Sequence, residues 1–497
     1  MRRARLPLLF LIPLLLILFS FSDHSSIANS LEREINRFAS DPSLKNASWG
    51  LSVIDVETGR TIASRNQHLA LSPASTQKLV TTASALLLLG HDYRYQTSLG
   101  YSGFIDEAGI LQGNLIIIGS GDPTFASTQL HDSLRMEMVF LKWLQAINHA
   151  GIKQINGRVF VDESVFDHEM VPRKWLWEDI GNYYGAGSSG LTVNENMYTV
   201  LFQPGNEVGK PATVLRTEPL IPGVEFINQV ITGPRGSGDQ VYIFGAPYQM
   251  QRTLTGTVPL GSSNFPVRGS IPDPALFFAA AFSGFLAQNR IDQNSGPITR
   301  RIVSLGGTLF PETEKVLSTW MSPALVHVAG RTNLNSVNTY AENLLKTIGR
   351  QVKGTGSTTS GIEVIKEYWK NRGLDVDGMF LYDGSGLAPS NRLTTAQLTG
   401  ILQAMARSPH FDDFQAGLPL AGRTGSLTSL FRGTASESVL RAKSGFIANV
   451  RSYAGYTKTA DGKTLAFAFI VNDYHGTPAS MREKMTKLMD AITRYNQ

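Results

Sequence analysis

Within the stretch "SPASTQK" at residues 72–78, Ser75 and Lys78 stand one helical turn apart, just ahead of the apolar run "LVTTASALLLLG". Ser72 is a favourable N-cap and Pro73 suits the first helical position, where its missing N–H costs nothing. This predicts a helix with Ser75 in its first turn. The Ser75 backbone N–H is then a donor that no intrahelical carbonyl can reach, and the helix dipole adds partial positive charge there. Ser75 therefore offers a hydroxyl nucleophile together with half of an oxyanion hole. Residues three apart share a helix face, so Lys78 can take the hydroxyl proton if its pKa falls towards neutrality. A fall of three units corresponds to about 4 kcal/mol, a magnitude that burial or a neighbouring cation supplies. The expected helix core is Leu79, Ala83, Leu86 and Leu87, which leaves Ser75 and Lys78 near the rim of the packed stripe. S-x-x-K alone arises by chance in any long chain, so the chemistry needs partners.

Two further stretches supply them. "NLNSVNTYAENLLKTIG" carries Ser336-Val337-Asn338 before a helix whose apolar face is Tyr340, Leu344, Leu345 and Ile348. "SVLRAKSGFI" carries Lys443-Ser444-Gly445 within an alternating strand. S-x-x-K, S-x-N and K-S-G, in that order and in helix, loop and strand contexts, resemble the signature set of the penicillin-recognising serine enzymes.

Ser75 and Ser336 are separated by 260 residues, more than a compact β-lactamase holds. The chain is similar to the class C low-molecular-mass penicillin-binding proteins, the D-Ala-D-Ala carboxypeptidase and endopeptidase family, also called peptidase family S13, which carries two extra domains in that gap. Matching stretches include "GSGDPTF", "YDGSGLAPSNRLT" and "LPLAGRTGSLTSLFRGT". The resemblance implies that Ser75 is the acylated nucleophile and Lys78 its base. It further implies that Ser336 relays the proton to the leaving amine, that Asn338 holds the substrate amide, and that Lys443 binds the terminal carboxylate and helps depress the Lys78 pKa. Ser444 and Gly445 would border the substrate, and the backbone N–H of Phe446 would be the second oxyanion donor beside that of Ser75. The family usually places Thr or Ser where Phe446 stands; the missing hydroxyl weakens carboxylate capture and with it the case for carboxypeptidase over endopeptidase action. In "KWLWEDIGNYY", Asp179 matches the family's substrate-selecting aspartate, suited to the free amine of a diaminopimelate side chain, with Tyr184 as its aromatic neighbour. The competing reading is a solvated acidic pair after two buried tryptophans.

These residues need a sheet and helices to hold them. "WGLSVIDVETGRTIASRN" gives two alternating runs around a turn at Glu57 to Gly59, and the chain ends in three strand candidates and the amphipathic "ASMREKMTKLMDAITRYN". One antiparallel sheet flanked by helices and closed by N- and C-terminal segments is expected, an α/β (α+β) penicillin-recognising fold. The expected organisation is a catalytic domain over residues 29–95 and 318–497, with mostly β inserted domains over 96–317, two in number and one nested in the other. Residues 1–28 read as a signal peptide: basic "MRRAR", sixteen uncharged residues, then "SIANS". Cleavage after Ala28 fits an A-x-A-like site loosely, with Ser26 for the first alanine; the rival is an uncleaved anchor, which would hold the chain at the membrane surface. Either way export to the periplasm or cell envelope is expected.

With no cysteine, the chain has no disulfide framework, thiol nucleophile or lipid-modified cysteine. The net charge of +5 includes +2 from residues 1–28 and no basic cluster, so no nucleic-acid partner is implied. No H-E-x-x-H and no G-x-S-x-G occur, and neither a metal nor a cofactor is expected. Arg423-Thr424-Gly425 imitates the third motif, but its Pro and Gly neighbours favour a loop, whereas Lys443 has strand neighbours on both sides. The implied function is a serine DD-peptidase acting on peptidoglycan stem peptides and acylated by β-lactam antibiotics. A β-lactamase or esterase of the same fold, or a wall-binding protein without turnover, are the alternatives. Nothing in the sequence sets the oligomeric state.

Overall fold

The computed structural model describes residues 30–307 and 309–496; the signal-peptide reading falls on residues outside this range. By internal contacts the described chain forms two units. One comprises residues up to 71 with 394–408 and 418 onwards, and the other 72–393 with 409–417.

The first unit is built on a five-stranded antiparallel sheet in the order Arg441–Ile447, Val450–Lys458, Thr464–Asn472, Ser48–Asp55, Thr61–Arg65. The hairpin at Glu57 to Gly59 and the three C-terminal strands are as the alternation predicts. Thr464–Asn472 is central and covered on both faces, which is why "TLAFAFIVN" is a near-continuous apolar run. Its Phe469 meets Phe38 and Trp49 edge-on, with centroids 4.9 and 6.1 Å away. Phe38 belongs to a helix over 30–39. Helix Pro478–Thr493 buries Met481, Met485, Met489 and Ile492 in the same core. Helix Thr395–Ala406 is tied to the sheet by Ser52 Oγ to Thr399 Oγ1 (2.9 Å) and by Tyr456 Oη donating to the Leu402 carbonyl (2.7 Å). The sheet thus has helices to cover it and an edge strand, Arg441–Ile447, carrying the third motif.

The second unit contains a six-stranded, a four-stranded and a three-stranded sheet. Its strands fall between Gln96 and Met321, a mostly β stretch as expected that also holds the long helices Met136–His149 and Pro274–Gln288. Both helices are apolar on the face that packs: Phe140 and Trp143 of one pack against Phe278 and Phe282 of the other, with centroids 5.2 to 5.8 Å apart. Asp273 caps the second by accepting from Leu276 N (3.0 Å), with Pro274 at the position where proline costs nothing. The same unit holds the helices Lys78–Leu89, Leu325–Asn335, Asn338–Lys353 and Thr358–Asn371.

Candidate active site

The α-helix begins at Lys78, not at Pro73 as the capping pattern predicts. Ala74–Gln77 forms a tighter 3-10 turn ahead of it. The Pro73 carbonyl accepts from both the Thr76 N–H (3.3 Å) and the Thr76 hydroxyl (2.7 Å), three residues on, and this draws the turn in. Ala74 takes a left-handed φ of 46°, unusual without glycine. Gly386 lies so close that a Cβ there would be 1.9 Å from the Ala74 carbonyl oxygen. The turn presenting Ser75 is therefore pinned from behind.

Lys78 is not at the rim of the helix core. It is 0% exposed, whereas Leu87 is only half-buried. The Lys78 Nζ lies 3.0 Å from Ser75 Oγ, 2.6 Å from Asn338 Oδ1 and 2.8 Å from the Ser385 carbonyl oxygen. Burial brings its pKa down to about 7, against the opposing pull of Asp383 and Glu342. A neutral amine has two N–H donors and one lone pair. The Asn338 Oδ1 and the Ser385 carbonyl oxygen can only accept, so in the neutral form they take both donors and leave the lone pair for the Ser75 hydroxyl. This is the arrangement that proton removal from Ser75 requires.

Ser336 ends helix Leu325–Asn335 in a left-handed conformation (φ 59°), and helix Asn338–Lys353 starts two residues later. The reversal puts Ser336 and Asn338 on the wall of one cavity of about 250 Å³, with Tyr184, Glu195, Arg268 and Asn335. Asn338 is fixed at both ends of its amide, since its Nδ2 donates to the Tyr184 carbonyl (2.7 Å). Tyr340, Leu344, Leu345 and Ile348 are fully buried, as the periodicity predicts.

Glu342 was not singled out from the sequence, and the roles of Asp383 and Ser385 were not assigned from it. One turn beyond Asn338, the buried Glu342 accepts from the Gly384 N–H (2.9 Å) and the Ser385 N–H (2.8 Å). Burial, and the charge of Asp383, push its carboxyl up. Asp383 accepts from the Gln77 and Asn391 amides, the Trp175 indole and the N–H groups of Gly386 and Ala388, all at 2.7 to 2.8 Å. These bonds aim the Ser385 carbonyl at Lys78. "DGSG" at 383–386 reads from sequence as a turn, with its place in the family pattern suggesting a loop near the site; for Glu342 the spacing four residues after Asn338, hence on one helix face, was the available signal.

Asp179 lies on the short helix Trp177–Ile180, within electrostatic reach of the Tyr184 hydroxyl. Burial, then the neighbouring Glu178, raises the Asp179 carboxyl to about 6, and burial raises the Tyr184 hydroxyl. The expectation of two buried tryptophans is half right: Trp175 is buried, with its indole spent on Asp383, whereas Trp177 is 55% exposed.

The structure thus gathers Ser75, Lys78, Ser336, Asn338, Asp179 and Tyr184 in one unit. Lys443, Ser444, Gly445 and Phe446 belong to the other, on the edge strand Arg441–Ile447. Lys443 pairs across the sheet with Ala454, is buried, and donates to the Ser444 carbonyl (2.6 Å). The Ser444 hydroxyl bonds Ser426 Oγ (2.7 Å). Phe446 is half-exposed with Arg451 over its ring. Arg423 and Thr424 precede a 3-10 turn at Gly425–Leu427, a loop as read.

Sheet, helices and a serine facing a buried lysine define a penicillin-recognising serine enzyme. Residues 31–495 match the D-Ala-D-Ala carboxypeptidase 3 (S13) family, and the chain belongs to that family. It is 30% identical to a D-alanyl-D-alanine carboxypeptidase of Actinomadura sp. (strain R39), over 91% of this chain and 82% of that one. It is 24% identical to the D-alanyl-D-alanine carboxypeptidase DacB of Haemophilus influenzae, over 93% and 94%. The crystal structure of penicillin binding protein 4 (dacB) from H. influenzae shares the fold, with a TM-score of 0.76 at 21% identity over 91% of this chain and 97% of that one. That protein has also been crystallised in complex with a β-lactam, and this second structure gives a TM-score of 0.73 at 20% identity over the same shares.

Proposed function

We propose that this serine-type carboxypeptidase removes the terminal D-Ala of peptidoglycan stem peptides through an acyl-enzyme on Ser75, and that β-lactams acylate the same hydroxyl. The observation that carries the reading is the buried Lys78 amine 3.0 Å from Ser75 Oγ, with the Asn338 Oδ1 and the Ser385 carbonyl accepting from it, so that its neutral form can turn the lone pair to Ser75. Lys78 accepts the Ser75 proton as Oγ attacks the carbonyl of the penultimate D-Ala. The C–N bond then breaks, the leaving amine takes a proton through Ser336, and water releases the acyl group with Lys78 again as base. Asn338 orients the substrate amide. The N–H groups of Ser75 and Phe446 serve the oxyanion, and Lys443, flanked by Ser444 and Gly445, takes the terminal carboxylate. Asp179 with Tyr184 takes the free amine of the stem-peptide side chain.

Residues 96–317 are proposed as domains inserted into a catalytic domain of 29–95 and 318–497. Export is proposed on the strength of residues 1–28. Among the described residues no helix is long and apolar enough to cross a membrane. The test is labelling: a fluorescent penicillin should form a stable adduct with the wild type and none with Ser75→Ala, and an adduct mapped to another serine overturns the assignment.

A further inference from the structure

Beside Asp179 the surface carries an aromatic strip. Strand Gln240–Phe244 alternates, burying Val241 and Ile243 while Tyr242 faces outward and Phe244 stays partly open. Trp177, 55% exposed, continues the line: its ring lies 6.3 Å from Phe244 at 32°, and Phe244 lies 6.3 Å from Tyr242 at 27°. Three adjoining aromatic rings, two exposed and one partly open, are not what solvent selects, and such patches mark binding surfaces.

The strip is held rigid. Asn182 Oδ1 accepts from the Ile243 N–H (3.1 Å), and Gly181 sits so close that a Cβ there would be 1.7 Å from the Ile243 carbonyl oxygen. The helix bearing Trp177 is thereby fastened to the strand bearing the other two rings. At one end, Trp177 and Phe244 border a groove of about 430 Å³ whose other walls include Gln249, Gln251 and Thr253, all uncharged. At the other end Asn182, which holds the Ile243 N–H, directly precedes the turn Tyr183–Gly185, whose Tyr184 borders the cavity of Ser336 and Asn338. The strip therefore leads from an open groove to the candidate active site.

We propose that Trp177, Phe244 and Tyr242 bind the glycan strand of peptidoglycan, a β-linked N-acetylhexosamine chain. A pyranose has a flat face of C–H groups that suits the negative face of an aromatic ring, and a neutral polar rim of hydroxyls and acetamides that suits Gln249 and Gln251. A charged ligand would find no counter-charge in the groove. The proposal rests on the peptidoglycan reading for its choice of polysaccharide, but sugar binding does not require Ser75 chemistry, so the two can fail separately.

The experiment uses the intact chain and a peptide-free probe, the β-1,4-linked tetramer of N-acetylglucosamine, in a calorimetric titration. The wild type should bind it, Trp177→Ala should weaken binding at least tenfold, and Trp177→Phe should keep most of it because a ring face remains. Matched unfolding midpoints among the three exclude loss of the fold. No binding by a wild type that is labelled by penicillin, or equal binding by Trp177→Ala, overturns the proposal. So does sedimentation showing self-association of the wild type that Trp177→Ala abolishes, since the strip would then face a second copy of the chain.

Discussion

Replacing Glu342 by Gln should move the pH at which Ser75 becomes reactive. The Glu342 carboxylate binds the Ser385 N–H at 2.8 Å, and the carbonyl of that same residue binds Lys78 Nζ at 2.8 Å, so charge and amine are one residue apart. At a separation of roughly 7 Å and an effective dielectric of about 20, the attraction is roughly 2 kcal/mol, or about 1.5 pK units. Glu342 titrates upward itself, because burial and Asp383 raise it, and so carries only part of a charge near neutrality. A fall of about one unit in the Lys78 pKa is therefore expected in Glu342→Gln. The sign follows from which form reacts. Acylation needs the neutral amine, so the wild-type rate should fall as pH drops through about 7, and the variant's limb should lie lower. Across that limb the variant should hold more of the neutral amine than the wild type at the same pH, relative to each enzyme's own plateau. The assay is stopped-flow acylation by a chromogenic penicillin from pH 5 to 9. Gln leaves either the Gly384 or the Ser385 N–H without an acceptor, which costs about 1 to 3 kcal/mol of stability, so the plateau itself can fall. That is why the limb and not the amplitude is read. A limb that stays in place, or moves to higher pH, would refute the reasoning that these charges set the lysine.

Two further outcomes are expected. Lys443→Ala should reduce penicillin acylation severely while Arg423→Ala, in its 3-10 loop, has a milder effect; the reverse order in a labelling time course would move the third motif to the loop. Asp179→Asn should lower kcat/KM about ten- to hundredfold on stem peptides bearing a free amine, a charge-assisted contact of about 1.5 to 3 kcal/mol, and barely affect acylation by a simple penicillin. With the Asp179 carboxyl raised to about 6, the wild-type preference for amine-bearing peptides should fade as pH drops through that value; equal losses on both substrates would point to a structural role instead.

The parts of the site that could be read in the sequence are those carried by local spacing. Ser75 and Lys78 declare themselves because helix geometry acts over three or four residues, Ser336 and Asn338 stand out through the motif order that resembles the family, and the terminal sheet declares itself through strand alternation. What stayed hidden depends on distant chain segments. Asp383 collects Gln77 and Trp175 from more than 200 residues away, and no local pattern announces that convergence. Lys78 looked like a rim residue because a lysine ordinarily stays wet; its burial is imposed by acceptors on Asn338 and Ser385. Trp177 failed in the opposite sense, since a tryptophan in an apolar-looking run reads as core, and only the folded surface shows that more than half of it stays open.

The closing of the first unit's sheet by the two ends of the chain has a consequence for biosynthesis. Ser48 is paired with Asn472, so strand Ser48–Asp55, seven of whose eight residues are buried in the finished fold, must wait for a partner made 424 residues later. At about 5 to 20 residues per second that interval is roughly 20 to 80 seconds. The Thr61–Arg65 arm can pair with one edge of the strand early, whereas the other edge has no partner until Thr464–Asn472 is made. A newborn chain of this protein needs something to shield that edge, and truncation anywhere before the last strand leaves it bare for good.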